Sequence, residues 1–294
     1  MSVYNKNGIA LNAVYDKSGA ELQSAYNKSG EVIFTASEPQ YDYDDYSITN
    51  LFSLSGSNYQ GFAVYDGKIA QARENYALYI VDIATGTKIK EVSMDMGHGN
   101  SCQFSDEFYS ESDEFPLFYI RNDGVWVYRI TGTASTLVKK YSFSSDVIGT
   151  YVASFGIDTE HRKFYTASYT EGTYESKTGR MRICVFDMDD VTDLGDNVYS
   201  MALLDSNDFD WFTKYDAIQG SCFHDGYFFI SCGLPNTQQY VVLVDKDTLT
   251  IAHEVTTGNT TETEGCAWVG NDYMIIGQNP SNIAYKKVTF AELS

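Results

Sequence analysis

Five stretches of the chain carry polar side chains that could do chemistry, and they stand at comparable places in comparable phrases. Gln60 opens "QGFAVYDGKIAQA", Gln219 opens "QGSCFHDGYFFIS" and Glu264 opens "EGCAWVGNDYMII". His98 and Asn100 stand at the head of "HGNSCQF", and Ser154 near the head of "VASFGID". A carboxylate with an imidazole is the material of general acid–base catalysis, so the sharpest reading makes Glu264 the acid or base and His98 its partner. The six side chains Gln60, His98, Asn100, Ser154, Gln219 and Glu264 equally suit a ligand site built from converging polar groups. The plain alternative is that they bond to one another and to water and plug a channel.

Other chemistry is thinly represented. There is no G-x-S-x-G, no H-E-x-x-H and no phosphate-cradling glycine loop. His161 in "DTEHRK" reads as an exposed turn residue, His224 precedes the Asp225-Gly226 turn, and His253 falls on an outer strand. No catalytic residue is assigned, and the chain is read as a non-enzyme. The acidic runs Ser105 to Phe115 and Asp187 to Asn197 hold enough oxygens for a structural Ca²⁺, but lack EF-hand spacing and read first as solvated loops. No other cofactor or metal is expected. Tyr109, Tyr174, Trp211 and Phe212 would make a sugar platform if exposed, although aromatics in a β-rich chain usually belong to the core.

The elements that must position these residues are strands. Each of the three clear phrases runs polar residue, Gly, a strand with small residues, a turn at Asp-Gly or Gly-Asn, and a second strand. Two degenerate copies begin at His98 and Val152. Third strands carry an Asp, as in "ALYIVDIATGTKI", "MRICVFDMDDV" and "YVVLVDKDTLTI", and fourth strands follow in "KEVSM", "LVKKYSF", "NVYSMAL" and "HEVTT". Four antiparallel strands repeated along the chain predict an all-β fold, a β-propeller over residues 47–294. Starts at Gln60, His98, Val152, Gln219 and Glu264 give five blades. The last has three strands of its own, so the orphan strand Ser47 to Ser55 is expected to complete it and close the ring. A six-bladed ring and a β-sandwich are the rivals. Ala63, Cys102, Cys222 and Ala267 then occupy equivalent crowded places on the innermost strands, where small side chains fit.

Residues 1–36 follow a different repeat. "YNKNG", "YDKSG" and "YNKSG" place glycines at 8, 19 and 30, each followed three residues later by Leu11, Leu22 or Ile33. Asn-Gly and Ser-Gly favour turns, so each unit reads as a short hairpin. Units this small need a neighbour to cover their apolar residues, so Tyr4, Leu11, Tyr15, Leu22, Tyr26 and Ile33 are the expected docking residues of an adaptor. The polar stretch 37–46, part of "TASEPQYDYDDYS", reads as an acidic linker.

Composition limits the partners. Of 294 residues, 40 are acidic and 20 basic, a net charge of −20 that argues against nucleic acid and anionic membrane surfaces. Five cysteines without a C-x-x-C pair read as buried thiols. "MSVYNKNGIALNAVYD" lacks a basic start and apolar run, and no stretch is long and apolar enough to span a membrane. The expectation is a soluble chain made in the cytoplasm or delivered without a cleaved signal.

Two resemblances follow from these residues. The tandem leader, "VYDKSGAELQSAYNKSGEVIF", resembles N-terminal segments of phage tail and surface-fibre proteins, where such units anchor a C-terminal module to the particle. "GHGNSCQF" followed by "SDEFPLFYI", with "QGSCFHDGYFFIS" and "ETEGCAWVGNDYMIIG", resembles a propeller family of the same phages, often described as minor structural or teichoic-acid-related proteins. The resemblance implies a virion protein assembled in the host cytoplasm. It would be a tail- or fibre-associated receptor-binding module, docked to other virion proteins through residues 1–36, and a homo-oligomer whose propeller contacts a host-surface glycan or protein. A glycan-degrading hydrolase or lyase, and a head or collar decoration without receptor binding, are the alternatives.

Overall fold

A computed structural model describes residues 40–74, 77–170, 180–279 and 281–293 in full, with the backbone alone of four short strands before them. The chain divides into two compact units, Met1–Tyr41 with Glu292–Ser294, and Asp42–Ala291.

In the first unit β1 (Val3–Tyr4) pairs antiparallel with β2 (Ala10–Leu11), and β3 (Ser24–Tyr26) with β4 (Val32–Thr35). The first and third "Tyr-x-Lys-x-Gly" phrases therefore each join two paired strands, the hairpin shape expected of them. The middle phrase, and the side chains of Tyr4, Leu11, Tyr15, Leu22, Tyr26 and Ile33, lie outside the described residues.

The second unit is all-β. After β5 (Tyr41–Leu54), the strands fall into antiparallel groups in chain order. The first is β6 (Tyr59–Tyr65), β7 (Lys68–Arg73), β8 (Ala77–Asp82) and β9 (Thr87–Ser93). The second is β10 (Cys102–Phe104), β11 (Phe118–Arg121), β12 (Val125–Thr131) and β13 (Ala134–Tyr141). A short helix, α1 (Ser145–Ile148), leads to β14 (Tyr151–Asp158), β15 (Lys163–Tyr169), β16 (Met181–Gly195) and β17 (Val198–Phe209). The fourth is β18 (Ile218–His224), β19 (Tyr227–Cys232), β20 (Tyr240–Asp245) and β21 (Ile251–Thr256). The last is β22 (Thr263–Val269), β23 (Tyr273–Gln278) and β24 (Ile283–Glu292), and β5 lies beside β24 as its fourth strand. Short parallel bridges from β13 to β9 and to β17 tie the outer edges of the first three groups together.

The pattern of burial follows from stacking these sheets face to face. Third strands such as "ALYIVD" of β8 and "YVVLVD" of β20 are apolar on both faces because both faces are covered, whereas outer strands such as β9 are largely exposed. The core is a series of interleaved faces. Leu78 and Ile80 of the first group pack with Phe118 and Ile120 of the second. Tyr119 and Val127 of the second pack with Phe155 and Phe164 of the third. Trp211, Phe228 and Val242 meet Tyr169 and Ile183 in the next layer, and Ile275 and Tyr285 meet Phe62 and Ile69 in another.

Two boundaries differ from the sequence expectation. Residues 41–46, expected in the linker, form the start of β5. Their alternation explains it: Tyr41 and Tyr43 point inward, and the Tyr43 ring sits 5.0 Å from both Tyr227 and Phe290 while its hydroxyl donates to Asp225 Oδ2 at 3.1 Å. The acidic run Asp187–Asn197, expected as a loop, lies mostly on β16, which pairs with β17 through Gly195. Among the described residues, no helix is long and apolar enough to cross a membrane.

Candidate functional site at the heads of the inner strands

The inner strands β6, β10, β14, β18 and β22 converge at their N-terminal ends. Gly61 donates its backbone N–H to Gly99 O at 3.1 Å, and a Cβ on Gly220 would stand 2.9 Å from both Asn100 O and Gly265 Cα. Ser101 and Ser221 hydroxyls lie 3.0 Å apart, and both reach Phe155 O. This crowding accounts for Gly61 and Gly220, where a Cβ would meet main chain at 2.0 and 2.9 Å; at Gly265 a Cβ would come no closer than 3.4 Å to anything.

Four of these heads carry the same irregularity. The β6–β7 register jumps between Tyr59 and Phe62, β14–β15 between Val152 and Ser154, β18–β19 between Ile218 and Gly220, and β22–β23 between Thr263 and Gly265. Each jump is a β-bulge, which takes a residue out of the ladder and re-aims its side chain. The residues passed over include Gln60, Ala153, Gln219 and Glu264, and all four line one cavity of about 460 Å³. Buried Gln71 repairs the break in β6, its Nε2 donating to Gln60 O at 2.6 Å and to Gly61 O at 3.2 Å.

Gln60, His98, Asn100, Gln219 and Glu264 are thus brought together as the sequence predicts. Ser154 is not. It is fully buried and stands one place past the bulge, so Ala153 faces the cavity instead. The expected pairing of His98 with Glu264 is also replaced, because His98 Nδ1 meets Glu74 Oε1 at 2.8 Å. Arg121, Tyr151, Tyr169 and Glu262 also line the cavity, with Ala217, Ile218 and Leu234, and were missed. Glu262 precedes β22 and Glu264 sits in its bulge, so strand alternation could not have placed the two on one face.

The polar groups form a partial relay. Asn100 Nδ2 donates to Gln219 Oε1 at 3.2 Å, and Gln219 Nε2 donates to Glu262 Oε1 at 2.7 Å and to Gly233 O at 3.1 Å. The relay leaves Glu264 Oε1 and Asn100 Oδ1 buried without a hydrogen-bond partner among the described residues. Burial, reinforced by the neighbouring Glu262, pushes the Glu264 carboxyl up to about 9, so it holds a proton at neutral pH. Burial also raises Glu262, opposed by His98 and by the Gln219 amide. On another wall Arg121 Nε donates to Val152 O at 3.0 Å, its guanidinium lies 5.3 Å from the centre of the Tyr151 ring, and burial lowers its pKa. The Tyr169 hydroxyl accepts from Ile218 N at 2.9 Å. The arrangement offers a neutral acid, a second carboxyl, amides and a cation around one small volume.

The opposite ends of the inner strands line a second cavity of about 560 Å³, which contains His161 and His224. His161 Nδ1 lies 2.9 Å from Asp158 Oδ2, and His224 stacks on Trp268 with centroids 3.9 Å apart. Asp158 therefore belongs to this end. His253 meets Asp44 at 3.2 Å.

Three of the five acids in the loop after β10 pair with cations of the chain. Asp113 takes both Nε and Nη2 of Arg129, Glu107 pairs with Arg162 and Glu114 with Lys90. Among the described residues, no group of three or more ligand side chains is placed to hold a metal. Of the aromatics considered for a sugar platform, Trp211 is core and Phe212 packs against it, Tyr109 is exposed beneath Arg129, and Tyr174 lies outside the described residues. All five cysteines are free and buried, as expected, and burial raises Cys102, Cys184, Cys222 and Cys232.

No family model matches the chain, and no curated protein matches it. Among solved structures, the PQQ-bound aldose sugar dehydrogenase of Streptomyces coelicolor is similar, with TM-score 0.53 and 11% identity over 86% of this chain and 100% of that one. Glutaminyl cyclase of Myxococcus xanthus is similar at TM-score 0.52 and 10% identity, over 84% of this chain and 97% of that one. At this identity the likeness is one of fold, an all-β, propeller-like architecture. Neither is a phage protein.

Proposed function

We propose that the chain is a bacteriophage virion protein whose C-terminal unit is a five-bladed propeller, closed by β5, that recognises a glycan of the host surface. The observation that carries the binding role is the set of bulges that turn Gln60, Gln219 and Glu264 out of their ladders into one cavity. A bulge forfeits ladder hydrogen bonds, and four at equivalent heads is the arrangement of a site. The virion setting is supported by the motif resemblance and the tandem leader, which would dock residues 1–36 on other virion proteins and gather several copies. The test is binding of the full chain to a panel of bacterial surface polysaccharides and to intact cells, with labelled chain located on particles by electron microscopy. Saturable binding that is lost in Gln60→Leu/Gln219→Leu supports the reading. A folded chain that binds no polymer or cell and decorates the head or collar overturns host attachment.

A second reading, a glycan-degrading hydrolase or lyase, is favoured by one observation: Glu262 and Glu264 line the same cavity in different environments. Two carboxyls in different environments are what general acid–base cleavage of a glycosidic bond requires. Release of reducing ends by the full chain, abolished in both Glu264→Gln and Glu262→Gln, would establish it; binding without release would dismiss it.

A further inference from the structure

We infer that the ligand of this cavity is a sugar carrying a negative charge, held at its acidic group by Arg121 and at its hydroxyls by Glu264 and the amides; the inference rests on the glycan reading above. The cavity lining carries two chemically distinct groups. Glu264 is 3% exposed and presents an unpartnered Oε1, with Gln219 and Asn100 on the same lining. A protonated carboxyl offers one donor and one acceptor, which matches a hydroxyl, whereas a carboxylate would demand donors alone.

Arg121, on the same lining, is already oriented. Its Nε is fixed on Val152 O and its plane is backed by the Tyr151 ring. Among the described residues it has no carboxylate partner, unlike Arg129 with Asp113, Arg162 with Glu107 and Asp189, and Arg182 with Asp208. The chain has twice as many acidic as basic residues, 40 against 20, yet the half-buried Arg121 guanidinium feels the nearby Asp123 only through its field and forms no ion pair with it. With Nε occupied, the terminal nitrogens remain as a fork that suits a carboxylate or a phosphate oxygen pair. The carboxylate of a uronic acid and the phosphate of a sugar phosphate present the same chemistry to that fork.

The experiment titrates the full chain with glucose, glucuronate and glucose 6-phosphate, which differ only at C6, and with the matching galactose trio. The proposal expects one or both acidic sugars of a trio to bind at least about tenfold more tightly than the neutral one. That advantage should vanish in Arg121→Gln and be partly kept in Arg121→Lys, with unchanged far-ultraviolet circular dichroism. The preferred acidic arm identifies the source as uronate or phosphate. Equal binding of neutral and acidic sugars, or an advantage that survives Arg121→Gln, overturns the inference and leaves glycan recognition standing. Binding of none of the six overturns the inference, and failure on polymers as well removes the glycan reading beneath it.

Discussion

Glu262 and Glu264 stand two positions apart and line one cavity, but Gln219 reaches only the first, donating to Glu262 Oε1 at 2.7 Å and leaving Glu264 Oε1 without a partner among the described residues. The asymmetry comes from the bulge at Glu264 and the convergence of the strand heads, which draw Gln219 across to the neighbouring group. It places two identical side chains in different settings, Glu262 held by the Gln219 amide and Glu264 buried with an unpartnered oxygen, a division that acid–base chemistry here would use.

Glu264 should make the protein less stable as pH rises. Its carboxyl is held up at about 9 from an ordinary 4.5, so between those values the folded chain keeps a proton that the unfolded chain releases. Stability attributable to it is full below pH 4.5, falls through the window at on the order of 1 kcal/mol per pH unit, and levels above 9. Glu264→Gln removes the proton but not the shape. Chemical denaturation of both proteins from pH 5 to 9 should show the variant gaining on the wild type steadily. A difference independent of pH would show that the carboxyl ionises normally.

His224 should act in the opposite range. Burial against Trp268 lowers its imidazole from 6.5 to about 4, so the unfolded chain takes up a proton first as pH falls. Its contribution is complete above pH 6.5 and is lost on the way down to pH 4. His224→Phe keeps a ring on the Trp268 face. The thermal midpoint of the wild type relative to this variant should drop between pH 6.5 and 4, while a parallel pair of curves would refute the shift.

The thiols should be silent in the native state. All five cysteines are buried, and Cys222 and Cys266 touch across neighbouring inner strands with sulfurs 3.7 Å apart. Reaction needs an exposed thiolate. Titration with an aromatic disulfide reagent should release no chromophore from the folded chain and five equivalents after denaturation. Rapid reaction of even one thiol in the native chain would place a cysteine at the surface.

The repeat made most of this architecture legible. Asp-Gly turns and two-residue alternation locate β6, β7, β18 and β19 without ambiguity, and the polar residue before each Gly marks the cavity. Errors arose where the local pattern was blind to register. Ser154 looks equivalent to Gln219 in a linear alignment, yet the bulge at Ala153 turns it inward. Arg121 was invisible for another reason: it ends a second strand, β11, and enters the cavity only because Val152 of the next group accepts its Nε. Tyr41 and Tyr43 were hidden by the acids between and after them, though their spacing was that of a strand.

The same crowding yields a sharp test of how closely the heads pack. Gly61 and Gly67 lie at the two ends of one strand and its turn. A Cβ on Gly61 would fall inside van der Waals contact of the Asn100 carbonyl, main chain that cannot swing aside. A Cβ on Gly67 would meet nothing within 4 Å, but the backbone there has φ +67°, which a side chain tolerates poorly. Gly67→Ala therefore carries only the left-handed penalty of about 1 kcal/mol, whereas Gly61→Ala must push two inner strands apart, a cost of about 3 kcal/mol. The displacement would also disturb Gln60 and Asn100, which flank the contact and line the cavity. Denaturant midpoints should rank wild type, Gly67→Ala, Gly61→Ala, and only the last should lose ligand binding. Equal stability of the two variants would mean that the strand heads are not in contact at Asn100.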